Sequence, residues 1–315
     1  MEGDRAVSRI ERMTRVAARV GSHHYDRHFR ADAQHVIVQI ADASGKRHTV
    51  GTGWDVLRGS KLTSPERAAV RAAVEAVALL HHRFGRNGFD DAGHAVTLVL
   101  RSADADARGP FAEDGTISAG SGNPLVGPGM GGAGDSILPL DVAIHELVHV
   151  VQFAQLRNSS DQLHPALAEG FADALSMLLT RDWSIGEGYF HRPGTIARET
   201  IRQVGPSADG VDKRGEDIVV DYRTVAQGGV EEHAAGAVIS RTFYEIQRRI
   251  GWARAEDLIW SIINDPAAWK HGGSWQQIAV SIVGNAQKLW PGDAAAQAAV
   301  GAAMSITHID EAADA

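Results

Sequence analysis

Apolar residues recur along this chain with two different periods, and the balance between them shifts near its middle. Ile10, Met13, Val16 and Val20 keep a helical rhythm within Met1–Val20. His35–Ile40 (HVIVQI), a turn over Asp42–Lys46 and His48–Gly51 predict a β-hairpin. Thr63-Ser64-Pro65-Glu66 reads as a helix start, a capping residue followed by proline in the first turn, and an Ala/Val/Leu-rich helix follows to about Phe84. Val96–Leu100 (VTLVL) predicts a buried strand, and the Gly/Pro-rich stretch Gly109–Gly134 predicts loop or edge strand. From Leu140 onward helices are expected over about Asp141–Arg157, Pro165–Thr180, Glu231–Ile250, Ala255–Ile263 and Ser274–Lys288. No internal repeat is visible. Strands in the first half and helices in the second point to an α+β protein of two lobes with a cleft between them. The expected division is a leader over 1–60, an N-terminal α/β lobe over 61–160 and a helical C-terminal lobe over 161–315.

Composition narrows the chemistry. At 315 residues and 44% hydrophobic, the chain can bury one large core or two smaller ones. The absence of cysteine excludes thiol catalysis, thiolate-ligated zinc and disulfides. A formal charge of -8 with no dense Lys/Arg stripe argues against nucleic acid as a partner. The first twenty residues alternate charge with apolar side chains and hold no continuous apolar run, so an ordinary secretory signal is not expected. No stretch of roughly 18 apolar residues predicts a membrane span. The expected location is the cytoplasm, or outside the cell by a route that needs no cleaved signal.

The chemistry concentrates in His145-Glu146-Leu147-Val148-His149, an H-E-x-x-H. Positions four apart share a helical face, so both imidazoles reach one zinc ion, with Glu146 beside them to take a proton from the attacking water and pass it to the leaving amine. Twenty residues past His149 comes Glu169, within Ala168-Glu169-Gly170-Phe171-Ala172-Asp173. Glu169 and Asp173 are again four apart. Glu169 suits a third ligand, and Asp173 suits the free ring N–H of a ligating histidine. Three protein ligands with a carboxylate among them leave a fourth position open, which marks a catalytic rather than a closed structural site.

The stretches LDVAIHELVHVVQF and ALAEGFADALS resemble the active-site helix and the glutamate helix of the thermolysin family of gluzincin metallopeptidases. The resemblance extends over about 64–306. It includes Phe84–Gly93 (FGRNGFDDAG), Asp182–Glu187, Thr200-Ile201-Arg202 and Gly228-Gly229-Val230 with His233 after it. It implies a two-lobed fold and hydrolysis of peptide bonds in a peptide or protein substrate. It implies His145, His149 and Glu169 as zinc ligands and Glu146 as general base. His233 and Arg202 are implied as stabilisers of the transition state. Ser240, Arg241 and Tyr244 fall where the family has a polar, a basic and a tyrosine position, which supports His233 as the equivalent histidine. Asp141, Asp182 and Glu187 match calcium-ligand positions. Val142, Ile185 and Ile201 match the wall of the pocket for the residue after the cut, and being apolar they imply a bulky apolar residue there. Asn123, in GSGNPLVG, is expected to hold substrate backbone.

The chain also departs from the family. The tyrosine expected nine residues before the ligand glutamate falls at Ser160, and the aspartate that pairs with the active-site histidine falls near Ala226, leaving Glu231, Glu232 or Asp221 to replace it. A lost oxyanion donor typically costs about 10²–10³ in rate. The leading expectation is a zinc endopeptidase. An aminopeptidase of the same clan would need an acidic motif for the substrate amine, and none of the usual form is present. A catalytically weak zinc-fold binding protein is the other alternative. The leader is expected either to belong to the sheet of the catalytic lobe or to cover the cleft as a short propeptide.

Overall fold

The computed structural model describes residues 25–59, 62–103, 110–120, 137–156, 161–186, 202–203 and 221–314, with the backbone alone at 25–28, 202–203 and 314. The expected helix within Met1–Val20 lies outside these residues. The described chain begins with α1 (Tyr25–Gln34), β1 (Val36–Ala41), β2 (Arg47–Thr52) and α2 (Gly53–Gly59). β1 and β2 form the expected hairpin, with a bulge between Val38 and Gln39. The hairpin is not a separate ribbon. β1 also pairs in parallel with β3 (Val96–Leu100), so it lies inside a five-stranded sheet of order β2-β1-β3-β5-β4.

Between them runs α3 (Ser64–Phe84). Thr63 and Glu66 close a reciprocal capping box at its start, Pro65 occupies the first turn, and Gly85 ends it with a left-handed backbone at φ 72°. Glu66 also receives Arg101 Nε at 2.6 Å, which ties the start of α3 to the end of β3.

The Gly/Pro-rich stretch differs in part from expectation. β4 (Phe111–Glu113) is an edge strand, but β5 (Thr116–Ser118) is interior, parallel to β3 on one side and antiparallel to β4 on the other. Strands of three residues are too short to show a period-two pattern. The Asp114-Gly115 turn between them, with Gly115 at φ 70°, was the available signal.

The second half is helical. It contains α4 (Leu140–Leu156), α5 (Pro165–Thr180), a two-stranded ribbon of β6 (Ser184–Ile185) and β7 (Arg202–Gln203), α6 (Tyr222–Ala226), α7 (Glu232–Ile250), α8 (Trp252–Ile263), α9 (Trp275–Leu289) and α10 (Ala294–Thr307). Short 3₁₀ turns lie at Lys270–Gly272 and Ile309–Asp314. The pattern predicted α4, α5, α7, α8 and α9. It missed α10, whose sequence AAAQAAVGAAMSIT is almost uniformly small and apolar and so has little periodicity despite strong helix propensity. It also missed α1, α2 and α6, which are short.

α4 joins the two halves. It packs against α3, β4 and β5 on one side and α5 on another. Every residue from Val142 to Gln152 is buried, His145, Glu146 and His149 among them. A helix covered all round is a core helix, and polar groups in it need partners. No described helix is long and apolar enough to cross a membrane.

Candidate metal centre

α4 and α5 each present an i,i+4 polar pair to the other. On α4, His145 and His149 stand with rings nearly perpendicular and Nε2 atoms 3.0 Å apart. On α5, Glu169 Oε2 lies 3.3 Å from His145 Nε2 and Glu169 Oε1 lies 3.4 Å from His149 Nε2.

The other ring nitrogens face elsewhere. His145 Nδ1 is 2.8 Å from Asp173 Oδ1, one turn beyond Glu169, at ion-pair distance but outside hydrogen-bond alignment. His149 Nδ1 is 3.1 Å from Oε1 of Gln152, whose amide nitrogen reaches the carbonyl of Ala168 at 3.4 Å. Both rings therefore have acceptors at Nδ1, which leaves both Nε2 lone pairs for one point between them. Gln152 is 1% exposed, and the sequence reading did not single it out. Its signal was its place one turn beyond His149 on the same face.

The donor set fits a metal ion. For tetrahedral zinc with bonds of about 2.0–2.1 Å, neighbouring ligand atoms stand ~3.3 Å apart. Here the two Nε2 atoms stand 3.0 Å apart, and each has one oxygen of Glu169 at a similar distance, Oε2 at 3.3 Å from His145 and Oε1 at 3.4 Å from His149. Glu169 Oε2 is buried without an aligned hydrogen-bond donor, although it sits at the convergence of imidazole nitrogens. An orphaned buried carboxylate oxygen is costly unless a cation completes it.

The charges of the ion-free arrangement point the same way. Burial pushes the Glu169 carboxyl up, but the nearby His149 and His145 imidazoles outweigh it and hold the group well below the ordinary carboxylate range. Burial alone would lower His145. The carboxylates of Asp173 and Glu169 close to its ring instead raise it to about 10.

Among the described residues, His145, His149 and Glu169 form one three-membered group able to hold an ion, and His233 does not join it. His233 stands beside it, with Nε2 3.4 Å from Glu169 Oε2. Its Nδ1 lies 2.5 Å from Glu231 Oε1, while Glu231 Oε2 accepts the backbone N–H groups of His233 and Ala234. Of the three carboxylates left open as partners for this histidine, Glu231 is the one in contact. One side chain thus caps α7 and orients the ring.

No model of a known protein family and no curated protein matches this sequence. Among solved structures, the precursor of protealysin, a metalloproteinase from Serratia proteamaculans, superimposes with a TM-score of 0.62 at 18% identity, over 87% of this chain and 88% of that one. The two share a fold.

That likeness agrees with the mixed α/β first half and helical second half, the arrangement implied by the resemblance of the motifs to thermolysin-like enzymes. Ser240 Oγ donates to the Gly170 carbonyl at 3.2 Å and helps fasten α7 to α5. Tyr244 is buried edge-on against Trp183 at 5.2 Å, with the Arg241 guanidinium over its ring. Val142 and Ile185 are both buried, and the backbone of Arg202 pairs with that of Ile185 across the β6–β7 ribbon.

Asp141, one of the expected calcium ligands, also holds backbone at the start of α4. Its Oδ1 accepts the N–H of Val142 and its Oδ2 that of Gly186, which straps the start of α4 to the loop after β6. Asp182 Oδ1 accepts the hydroxyl of Ser184. Among the described residues, neither aspartate belongs to a group of three metal-binding side chains. Glu187, Asn123, Ile201, Ser160 and the side chain of Arg202 lie outside the described residues.

Proposed function

We propose that this chain is a zinc-dependent endopeptidase. The observation that carries the proposal is the convergence of His145 Nε2, His149 Nε2 and the Glu169 carboxylate, whose Oε2 has no aligned hydrogen-bond donor, with no fourth ligand in that group among the described residues. A zinc ion held there would supply Lewis-acid polarisation of a peptide carbonyl and lower the pKa of water.

The residues of the chain do the rest. Asp173 and Gln152 fix the two ligand rings. Glu146, buried on the same helix, takes the proton of the attacking water and delivers it to the leaving amine. His233, held by Glu231, and Arg202 stabilise the developing oxyanion. Substrate lies in a cleft between the sheet-bearing and helical halves, with its backbone held by Asn123. Val142, Ile185 and Ile201 form an apolar wall that favours Leu, Ile, Val or Phe after the cut. Each buried methylene is worth about 0.8 kcal/mol, so Leu should be preferred over Ala by tens-fold.

The test is cleavage of a quenched peptide library with the zinc-loaded protein, then with the same protein after chelation, then with zinc restored. Cleavage before apolar residues that disappears and returns supports the reading. Stoichiometric zinc with no cleavage of any peptide overturns it in favour of a binding protein built on the same fold.

A further inference from the structure

A second group of metal-binding side chains lies where α1 meets the last turn of α3. Asp32, on α1, is 1% exposed. Its Oδ1 lies 2.6 Å from His81 Nδ1 and its Oδ2 lies 3.0 Å from His82 Nε2. The two rings belong to consecutive residues and stack at 5.0 Å with 25° between their planes. That geometry lets one present Nδ1 and its neighbour Nε2 to the same carboxylate. The three ligand atoms all lie within 4.8 Å of one another.

Among the described residues these imidazoles are the only side-chain partners of the Asp32 carboxylate. The cation next along the helix does not serve it, because Arg83 is spent on Glu256 and Asp257 at 2.5 and 2.6 Å. A buried carboxylate is stabilised most by a cation held against it, and a metal ion between the two imidazoles would supply one. The surroundings favour positive charge in a second way, because the rings stand in the last turn of a 21-residue helix, at the negative end of its dipole.

We propose that Asp32, His81 and His82 form a second divalent transition-metal site, suited to zinc. His81 Nδ1, His82 Nε2 and the Asp32 carboxylate are the ligands, and reaching the ~3.3 Å spacing of ligand atoms on tetrahedral zinc opens contacts that now stand at 2.6 Å to Oδ1 and 3.0 Å to Oδ2. Each histidine side chain is 44% exposed, so solvent completes the coordination. The ion clamps α1 to α3 and ties the leader to the core independently of the peptidase centre. Two imidazoles and one carboxylate exclude calcium and magnesium, which take oxygen ligands.

The test is equilibrium dialysis of the full chain against zinc, with metal content measured for the parent, His82→Ala, Asp32→Asn, His149→Ala and the His82→Ala/His149→Ala double variant. The expected result is two ions in the parent, one in each single variant and none in the double. Zinc should also raise the melting temperature of His149→Ala but not of the double variant. A folded His82→Ala protein with the zinc content of the parent overturns the proposal and leaves a purely hydrogen-bonded triad. A drop on His82→Ala with none on His149→Ala would instead remove the peptidase-centre reading and keep this one.

Discussion

Gly170 and Gly236 cross so closely that a Cβ on Gly170 would stand 2.4 Å from the Gly236 carbonyl oxygen and 2.8 Å from Cβ of Ile239. A Cβ on Gly236 would in turn stand 2.8 Å from both the Ala166 carbonyl oxygen and the Gly170 nitrogen. One glycine directly follows Glu169 and the other lies three residues past His233. The crossing of α5 and α7 is therefore what lets His233 come within 3.4 Å of the proposed ligand carboxylate. Gly170→Ala should force the helices apart, costing about 1–3 kcal/mol as overpacking does. It should lower kcat more than zinc content, because it displaces His233 while the two histidines on α4 stay in place. Thermal unfolding, metal analysis and peptide kinetics on one preparation check this, and unchanged kinetics would uncouple the crossing from the site.

Glu146 and His149 should separate cleanly. Glu146→Ala is expected to keep zinc and fold yet abolish cleavage, since it removes a proton carrier and no ligand. His149→Ala is expected to lose the metal of this centre. Loss of zinc from the Glu146 variant would assign that carboxylate a different role.

Glu231 serves α7 and His233 together. Glu231→Ala should cost about 0.5–2 kcal/mol as a lost helix cap and slow peptide cleavage through a misoriented His233. Burial opposes ionisation of Glu231, but bonds from His233 and the Ala234 amide hold its carboxyl below the ordinary range. A carboxyl depressed on folding contributes its stability at pH above its unfolded value, and that contribution disappears as pH falls through the folded one. The stability difference between parent and Glu231→Ala should thus be full at neutral pH and shrink in acid. Urea unfolding across that range reads it, and a gap that widens in acid would contradict the assignment.

The leader can be tested by removal. β1 lies between β2 and β3, and Ala33, Val36 and Val38 are completely buried. A fully buried valine is worth about 1.5–3 kcal/mol, against a total stability of about 5–15 kcal/mol for a typical domain. A Lys61–Ala315 protein should therefore melt far lower than the full chain, or not cooperatively at all. A stable and more active truncation would show instead that the leader is a removable cover.

Much of the proposed centre was legible without coordinates, because it is written in local periodicity. His145 with His149 and Glu169 with Asp173 are both i,i+4 pairs, and helix geometry places such pairs on one face whatever surrounds them. The start of α3 was equally local, with its cap, its proline and its glutamate within four consecutive residues. Non-local relations were not legible. Glu231 could be recognised as the partner of His233 only once α7 began at Glu232 rather than Glu231, which left the Glu231 side chain free to fold back as a cap. Gln152 shares a helical face with His149, but its anchoring to the Ala168 carbonyl depends on where α5 lies. The interior position of β5 and the pairing of Asp32 with histidines some fifty residues away depend on which surfaces meet. A sequence specifies which residues share a face over one or two turns. Which faces then touch is decided by burial summed over the whole chain, and only the tertiary structure shows that outcome.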